Sequence, residues 1–129
     1  MKDRIQVVAA VIRKNGKVLM ASRPEDKPPA GWEFPGGKME TGETEEDAIV
    51  REIREELNVE IRVEKKVCTV EYDYPNFHLV MHCFWCSMAE GELELKEHRS
   101  ARWLDRSEWE SVDWLPADVE VVKCLEGLI

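Results

Sequence analysis

Three glutamates, Glu52, Glu55 and Glu56, stand at positions i, i+3 and i+4. On an α-helix turning about 100° per residue, that spacing puts three carboxylates on one face. Like charges one turn apart destabilise a helix by about 0.2–0.5 kcal/mol per pair, so the cluster asks for a compensating cation. Oxygen donors select Mg²⁺ or Mn²⁺, and no histidine or cysteine is spaced to favour zinc. A solvated acidic face is the plainer alternative, and Arg51, one turn before Glu55, fits it equally well. The segment ahead of the helix argues for a site. Gly36-Gly37 lets the backbone approach a ligand closely, and Glu43 adds another acid just before the helix begins.

The elements that must position these residues are legible around them. Thr44 caps the helix, with Asp47 three positions on, Glu45 and Glu46 lie at the positive end of its dipole, and Asn58 tolerates the left-handed conformation that closes it. Ile49, Ile53 and Leu57, widened by Val50, give the helix a buried stripe adjacent to the acidic face. Upstream, residues 5–23 read as a hairpin turning at Asn15-Gly16. Residues 24–31 form a proline-rich loop, and 32–43 hold too many glycines to be regular. Downstream come VEIRVEKKVCTVEYDY, a Pro75-Asn76 turn, FHLVMHCFWCSM, a short strand ARWLD, a small helix near 107–110, and a last helix over 117–128 with Pro116 in its first turn. Strands before and after one central helix predict an α+β sandwich within a single domain spanning residues 1–129.

Composition narrows the partners. With 27 acidic and 18 basic residues the formal charge is −9, which argues against a nucleic-acid polymer or an anionic membrane as ligand. An anionic small molecule reached through bound cations stays open. The apolar run Val7–Ile12 is too short for a signal-peptide core or a membrane span. Cys83 and Cys86 form a CxxC string inside an apolar strand, where residues three apart face opposite sides. Structural, reduced cysteines and a cytoplasmic location are therefore expected. The chain is expected to act as a monomer or a homodimer.

Written out, the acidic segment is Gly37, five residues, Glu43, seven residues, Arg51-Glu52-Ile53, one residue, Glu55-Glu56, one residue, Asn58-Val59. It resembles the Nudix box, the signature of a family that hydrolyses nucleoside diphosphates linked to another moiety. Asn58 departs from the usual glycine, and asparagine takes the same backbone conformation at modest cost. Trp32 to Lys38 looks like the lead-in of MutT-type nucleotide triphosphatases, and Leu115-Pro116-Ala117-Asp118 is similar to their base-reading segment. The likeness runs from about Val7 to Leu125, with the box its most specific part.

The resemblance implies the Nudix fold, a mixed sheet sandwiched between helices. It implies that Glu52, Glu55 and Glu56 hold Mg²⁺ (or Mn²⁺) with the Gly36 carbonyl, and that Glu97 is a further ligand or base. Glu43 and Arg51 would orient the helix, with Glu52 as general base. Water would attack the β phosphorus of a nucleotide, releasing nucleoside monophosphate and pyrophosphate. Arg23, Gly37 and Lys38 would contact the substrate, and Phe34 would either stack on the base or serve as a core aromatic. Trp32 is the tryptophan expected near the pocket. Where relatives specific for oxidised guanine carry asparagine, this chain has Asp118. Kept ionised by the helix N-terminus, an aspartate accepts from an exocyclic amino group, which points to cytidine-type or modified nucleotides. Asp118 as a mere helix cap is the alternative. Rival functions are hydrolysis of 8-oxo-dGTP, cleavage of ADP-ribose or a nucleotide sugar, and a catalytically silent nucleotide-binding module.

Overall fold

A computed structural model describes residues 3–23, 31–90 and 100–128. The elements are β1 (Asp3–Lys14), β2 (Lys17–Ser22), β3 (Trp32–Glu33), β4 (Gly36–Lys38), α1 (Glu45–Leu57), β5 (Glu60–Asp73), β6 (Phe77–Glu90), β7 (Ser100–Leu104), a 3₁₀ turn (Arg106–Ser111) and α2 (Pro116–Leu128). The proline-rich loop expected over 24–31 falls, except for Gly31, outside the described residues.

One mixed sheet runs β3-β2-β1-β6-β5, with β4 added to β1 and β7 to β2. Asn15 and Gly16, at φ 52° and 77°, turn β1 into β2 as their types predict. The two strands pair only at their turn end; further along, β4 pairs with β1 at Val7–Ala9, while β6 runs parallel to β1 from Asp3 to Arg13. Strand alternation divides the core. Val8, Ala10, Ile12 and Phe84 pack with Ala48, Ile49, Ile53 and Leu57 of α1. Ala9, Val11, Cys83 and Trp85 pack with Ala117, Val121, Val122 and Leu125 of α2. Each of the large α1 side chains, fully buried, stabilises the fold by roughly 1.5–3 kcal/mol. Cys83 and Cys86 thus face opposite sides of the sheet, as their spacing requires, and all four cysteines are free thiols. No described helix is long and apolar enough to cross a membrane.

Two points in 32–43 correct the expectation of an irregular loop. Trp32–Glu33 pairs with β2, and Gly36–Lys38 pairs with β1. Glycine favours the second pairing: a Cβ at Gly36 would lie 1.9 Å from the Val8 carbonyl oxygen, so only a bare backbone lets β4 lie so close.

Candidate active site

The acidic helix begins and ends as its sequence dictates. The Thr44 hydroxyl accepts from the Asp47 N–H at 3.1 Å, and Asn58, at φ 56° and ψ 36°, closes the helix with its N–H on the Arg54 carbonyl. The helix is thereby held in register between β4 on one side and its buried stripe on the other.

Arg51 organises the residues around it. Its Nε and one terminal nitrogen donate to the two Glu43 oxygens at 2.6 and 2.9 Å. The second terminal nitrogen reaches Glu52 at 2.8 Å and Glu55 at 3.1 Å, and the first also donates to the Lys38 carbonyl at 3.1 Å. Glu43 in turn accepts the Glu40 N–H at 2.8 Å. Hydrogen bonds from the Arg51 guanidinium, then from Glu40, hold the Glu43 carboxyl down at about 2, and the Arg51 guanidinium is shifted up by the same pairing. This fork fixes the loop 38–43 to the helix and orients Glu52, in keeping with the bidentate geometry of guanidinium and carboxylate.

The three glutamates differ in setting. Glu56 is 6% exposed, with Oε2 shielded from solvent. Glu52 is half-buried against Gly37, where a Cβ would lie 2.2 Å from its Oε2. Glu55 is exposed. Among the described residues no three His, Cys, Asp or Glu side chains already enclose an ion, since Glu52 and Glu55 each lean one oxygen on Arg51. The donor set nevertheless fits a hard divalent cation. It offers only oxygen donors, a buried Glu56 and a Glu52 on the same helix face, and a Glu55 exposed enough to turn. Lys38 is exposed beside this face. Glu97, the further ligand or base implied by the resemblance, lies outside the described residues.

A second group of predicted residues gathers at the start of α2. Asp118 is 5% exposed, and its Oδ1 accepts the Phe34 N–H at 3.0 Å across the sheet. Arg23 pairs with Glu33 at 3.4 Å beside it. Tyr74, unremarked in the sequence, accepts the Ala117 N–H at 3.4 Å through its hydroxyl. Burial raises the Tyr74 phenol, with the Asp118 charge contributing. Only its place next to the Pro75-Asn76 turn could have drawn attention to it.

Two expectations change here and one choice is decided. Asp118 is not the cap of α2 but a first-turn residue tied to Phe34. It is not held ionised either. Burial pushes its carboxyl up to about 8, against the opposing hydrogen bonds from Phe34 and from its own backbone and the charge of Arg23. Desolvation of a fully buried acid outweighs a helix dipole. Of the two readings of Phe34 the structure shows a core aromatic, 3% exposed, with its ring stacked on Trp114 at 5.0 Å. Trp32 is half-buried, with the Arg102 guanidinium 5.9 Å from its ring.

Residues 2–123 match the family described as NUDIX domain. The chain is 35% identical, over 96% of its own length and 93% of the relative's, to the CTP pyrophosphohydrolase of Escherichia coli (strain K12). It is 32% identical, over 97% and 98%, to the 8-oxo-dGTP diphosphatase of the same organism. Its fold matches the solution structure of the E. coli ORF135 protein with a TM-score of 0.85 at 34% identity, covering 98% of this chain and 91% of that one.

Proposed function

Because the chain belongs to the Nudix family and is a hydrolase of phosphoric anhydrides, we propose that it converts nucleoside triphosphates to nucleoside monophosphate and pyrophosphate, preferring cytidine-type or modified bases. The observation that carries this reading is the chain of contacts from Glu43 through Arg51 to Glu52, which holds the acidic helix face against Gly37.

Glu52, Glu55 and Glu56, with the Gly36 carbonyl, are the residues that would hold Mg²⁺ or Mn²⁺. A divalent ion there neutralises polyphosphate charge and lowers the pKa of water. Glu52 is the base that takes the proton from the water attacking the β phosphorus in line, as the bond to the α phosphate breaks and nucleoside monophosphate departs, the water oxygen staying in pyrophosphate. Arg51 and Glu43 do not meet the substrate in this scheme; they set the rotamer of Glu52 and the loop 38–43. Arg23, Gly37 and Lys38 are assigned to the polyphosphate or sugar.

Base choice falls to Asp118. With Oδ1 occupied by the Phe34 N–H, its other oxygen faces the choice between donor and acceptor. The ionised fraction, which grows as pH approaches about 8, accepts from the amino group of cytosine, and the likeness to a CTP pyrophosphohydrolase supports that assignment. A second reading, hydrolysis of an oxidised guanine nucleotide, is favoured by one observation: a carboxyl titrating at about 8 is protonated at pH 7 and donates to a carbonyl.

The test is a panel of CTP, dCTP, 5-methyl-dCTP, 8-oxo-dGTP and ADP-ribose with Mg²⁺, with products identified by chromatography. Pyrophosphate with a cytidine monophosphate as the fastest reaction supports the first reading. A dominant 8-oxo-dGTP rate selects the second. A phosphosugar from ADP-ribose, with no pyrophosphate from any triphosphate, overturns both.

A further inference from the structure

We propose that His82 is a positioning residue for the acidic helix, its neutral imidazole tying both ends of the segment from Met39 to Glu45 to the sheet. The role rests on the reading that α1 carries the divalent cation. His82 lies on β6 two residues before Phe84, which packs against α1, so strand alternation puts both on the α1 face. Its Nε2 is 2.7 Å from Gln6 Oε1 of β1. Its Nδ1 is 3.1 Å from Lys66 Nζ of β5 and 3.6 Å from Glu45 Oε1 at the start of α1. Lys66 also donates to that Glu45 oxygen at 2.8 Å. Four elements therefore meet at one ring, of which 12% is exposed.

These partners dictate the tautomer. An ammonium only donates, so Nδ1 accepts from Lys66 and carries the lone pair. The ring proton therefore sits on Nε2, where it donates to the Gln6 side-chain oxygen. Among the described residues, the charged groups facing the ring are Lys66 from β5 and Glu45 from α1, while β1 presents the uncharged Gln6. Burial holds the imidazole below its usual 6.5, with Glu45 opposing and Lys66 assisting, so the ring is neutral at pH 7.

Gln6 works twice. Its backbone oxygen accepts the Met39 N–H at 3.1 Å, and its side chain takes the His82 proton. Met39 follows β4 and opens the stretch that leads to Glu43, whereas Glu45 opens α1. One end of the stretch is thus joined to His82 through Gln6, and the other through Lys66 and Glu45. The Arg51 fork holds Glu43, between those ends, from the helix side. His82 holds the ends from the sheet side. An α-helix is stiff, so a displaced first turn displaces Glu52, Glu55 and Glu56 two and three turns on.

Protonation undoes the tie. A proton on Nδ1 removes the acceptor for Lys66 and sets two cations 3.1 Å apart. Lys66 must then withdraw, and Glu45, 3.6 Å away, turns to the imidazolium instead. The first turn of α1 follows Glu45.

The experiment uses the full chain, labelled with nitrogen-15 and free of metal. Long-range proton–nitrogen correlation of the imidazoles should show His82 as the Nε2–H tautomer at pH 7. The Met39 and Glu45 amide signals should move together with its titration below 6.5. In His82→Gln, which stays neutral, that movement should be absent, while His78, held by Glu71 and Asp73, still titrates as a control. Mn²⁺ affinity, read from the free-ion signal at pH 7, should fall about tenfold in His82→Ala. On acidification through the His82 titration, the wild type should lose Mn²⁺ affinity more steeply than His82→Gln. The wild-type spectra need no variant to fold. An Nδ1–H tautomer, Met39 and Glu45 amides that ignore the ring, or full Mn²⁺ affinity in His82→Ala would each overturn the proposal and leave the metal reading standing. No Mn²⁺ binding by the wild type would instead overturn the metal reading, and this role with it.

Discussion

Arg51 grips both oxygens of Glu43, at 2.6 and 2.9 Å, while a further nitrogen of the same guanidinium holds Glu52 at 2.8 Å. One planar cation thus couples the loop before the helix to a carboxylate on it. Lysine keeps the charge but cannot span these positions. Arg51→Lys and Glu43→Gln should each weaken divalent-metal affinity and kcat by roughly 10–100-fold, as removal of supporting groups around metal ligands does. Metal titration followed by steady-state kinetics checks this. Unchanged metal affinity in both variants would reduce the fork to a surface ion pair.

The same pair sets an acid limit. Glu43 titrates at about 2 in the folded protein against an ordinary value of 4.5. A depressed carboxyl contributes stability that is full above 4.5 and is lost as pH falls toward about 2. Thermal unfolding of the wild type should therefore steepen its decline through that window, and Glu43→Gln should decline less. Parallel curves would show that the carboxyl titrates normally.

The paired glycines separate structure from chemistry. A Cβ at Gly36 meets backbone of β1, at 1.9 Å from the Val8 oxygen, whereas the atoms nearest a Cβ at Gly37 are those of the Glu52 carboxylate. Gly36→Ala should lower the melting temperature by breaking the β1–β4 pairing. Gly37→Ala should fold nearly as well but lose activity, because Glu52 must swing away. Equal losses of stability in the two variants would refute this division.

Asp118 carries the opposite pH sign to Glu43. Its carboxyl, ordinarily near 3.8, is held up to about 8, so the folded state keeps a proton that the unfolded chain has released. Stability should fall as pH rises between those values, by at most about 1.4 kcal/mol per pH unit for one proton. Asp118→Asn should flatten that slope. If the ionised form reads cytosine, kcat/KM for CTP should rise toward pH 8, and Asp118→Asn should harm cytidine substrates more than guanine ones. A flat wild-type profile with equal losses across bases would confine Asp118 to tethering Phe34.

Local chemistry was the legible part. Thr44, Asn58, Asn15 and Gly16 act through their own side chains or backbone freedom, and the structure uses each as its type dictates. The contact of Arg51 with Glu55 one turn on was legible too, whereas its grip on Glu43 was not, since the resemblance gave those two residues only the role of orienting the helix. What distance in the chain conceals was not. The stacking of Trp114 on Phe34 joins residues far apart. The protonation of Asp118 depends on burial that no local pattern reveals. Gly36 and Gly37 looked like loop formers because β4 pairs with β1, far back in the chain, and Gly36 lies close against Val8 there.

The central claim is that Glu52, Glu55 and Glu56 together hold a divalent cation. Free Mn²⁺, followed by electron paramagnetic resonance during titration of the wild type and of Glu56→Gln, tests it most directly. The wild type should deplete the free-ion signal, and the variant, confirmed folded by circular dichroism, should bind more weakly than the Arg51 and Glu43 variants. Equal binding by the wild type and Glu56→Gln, or none by either, would contradict the claim.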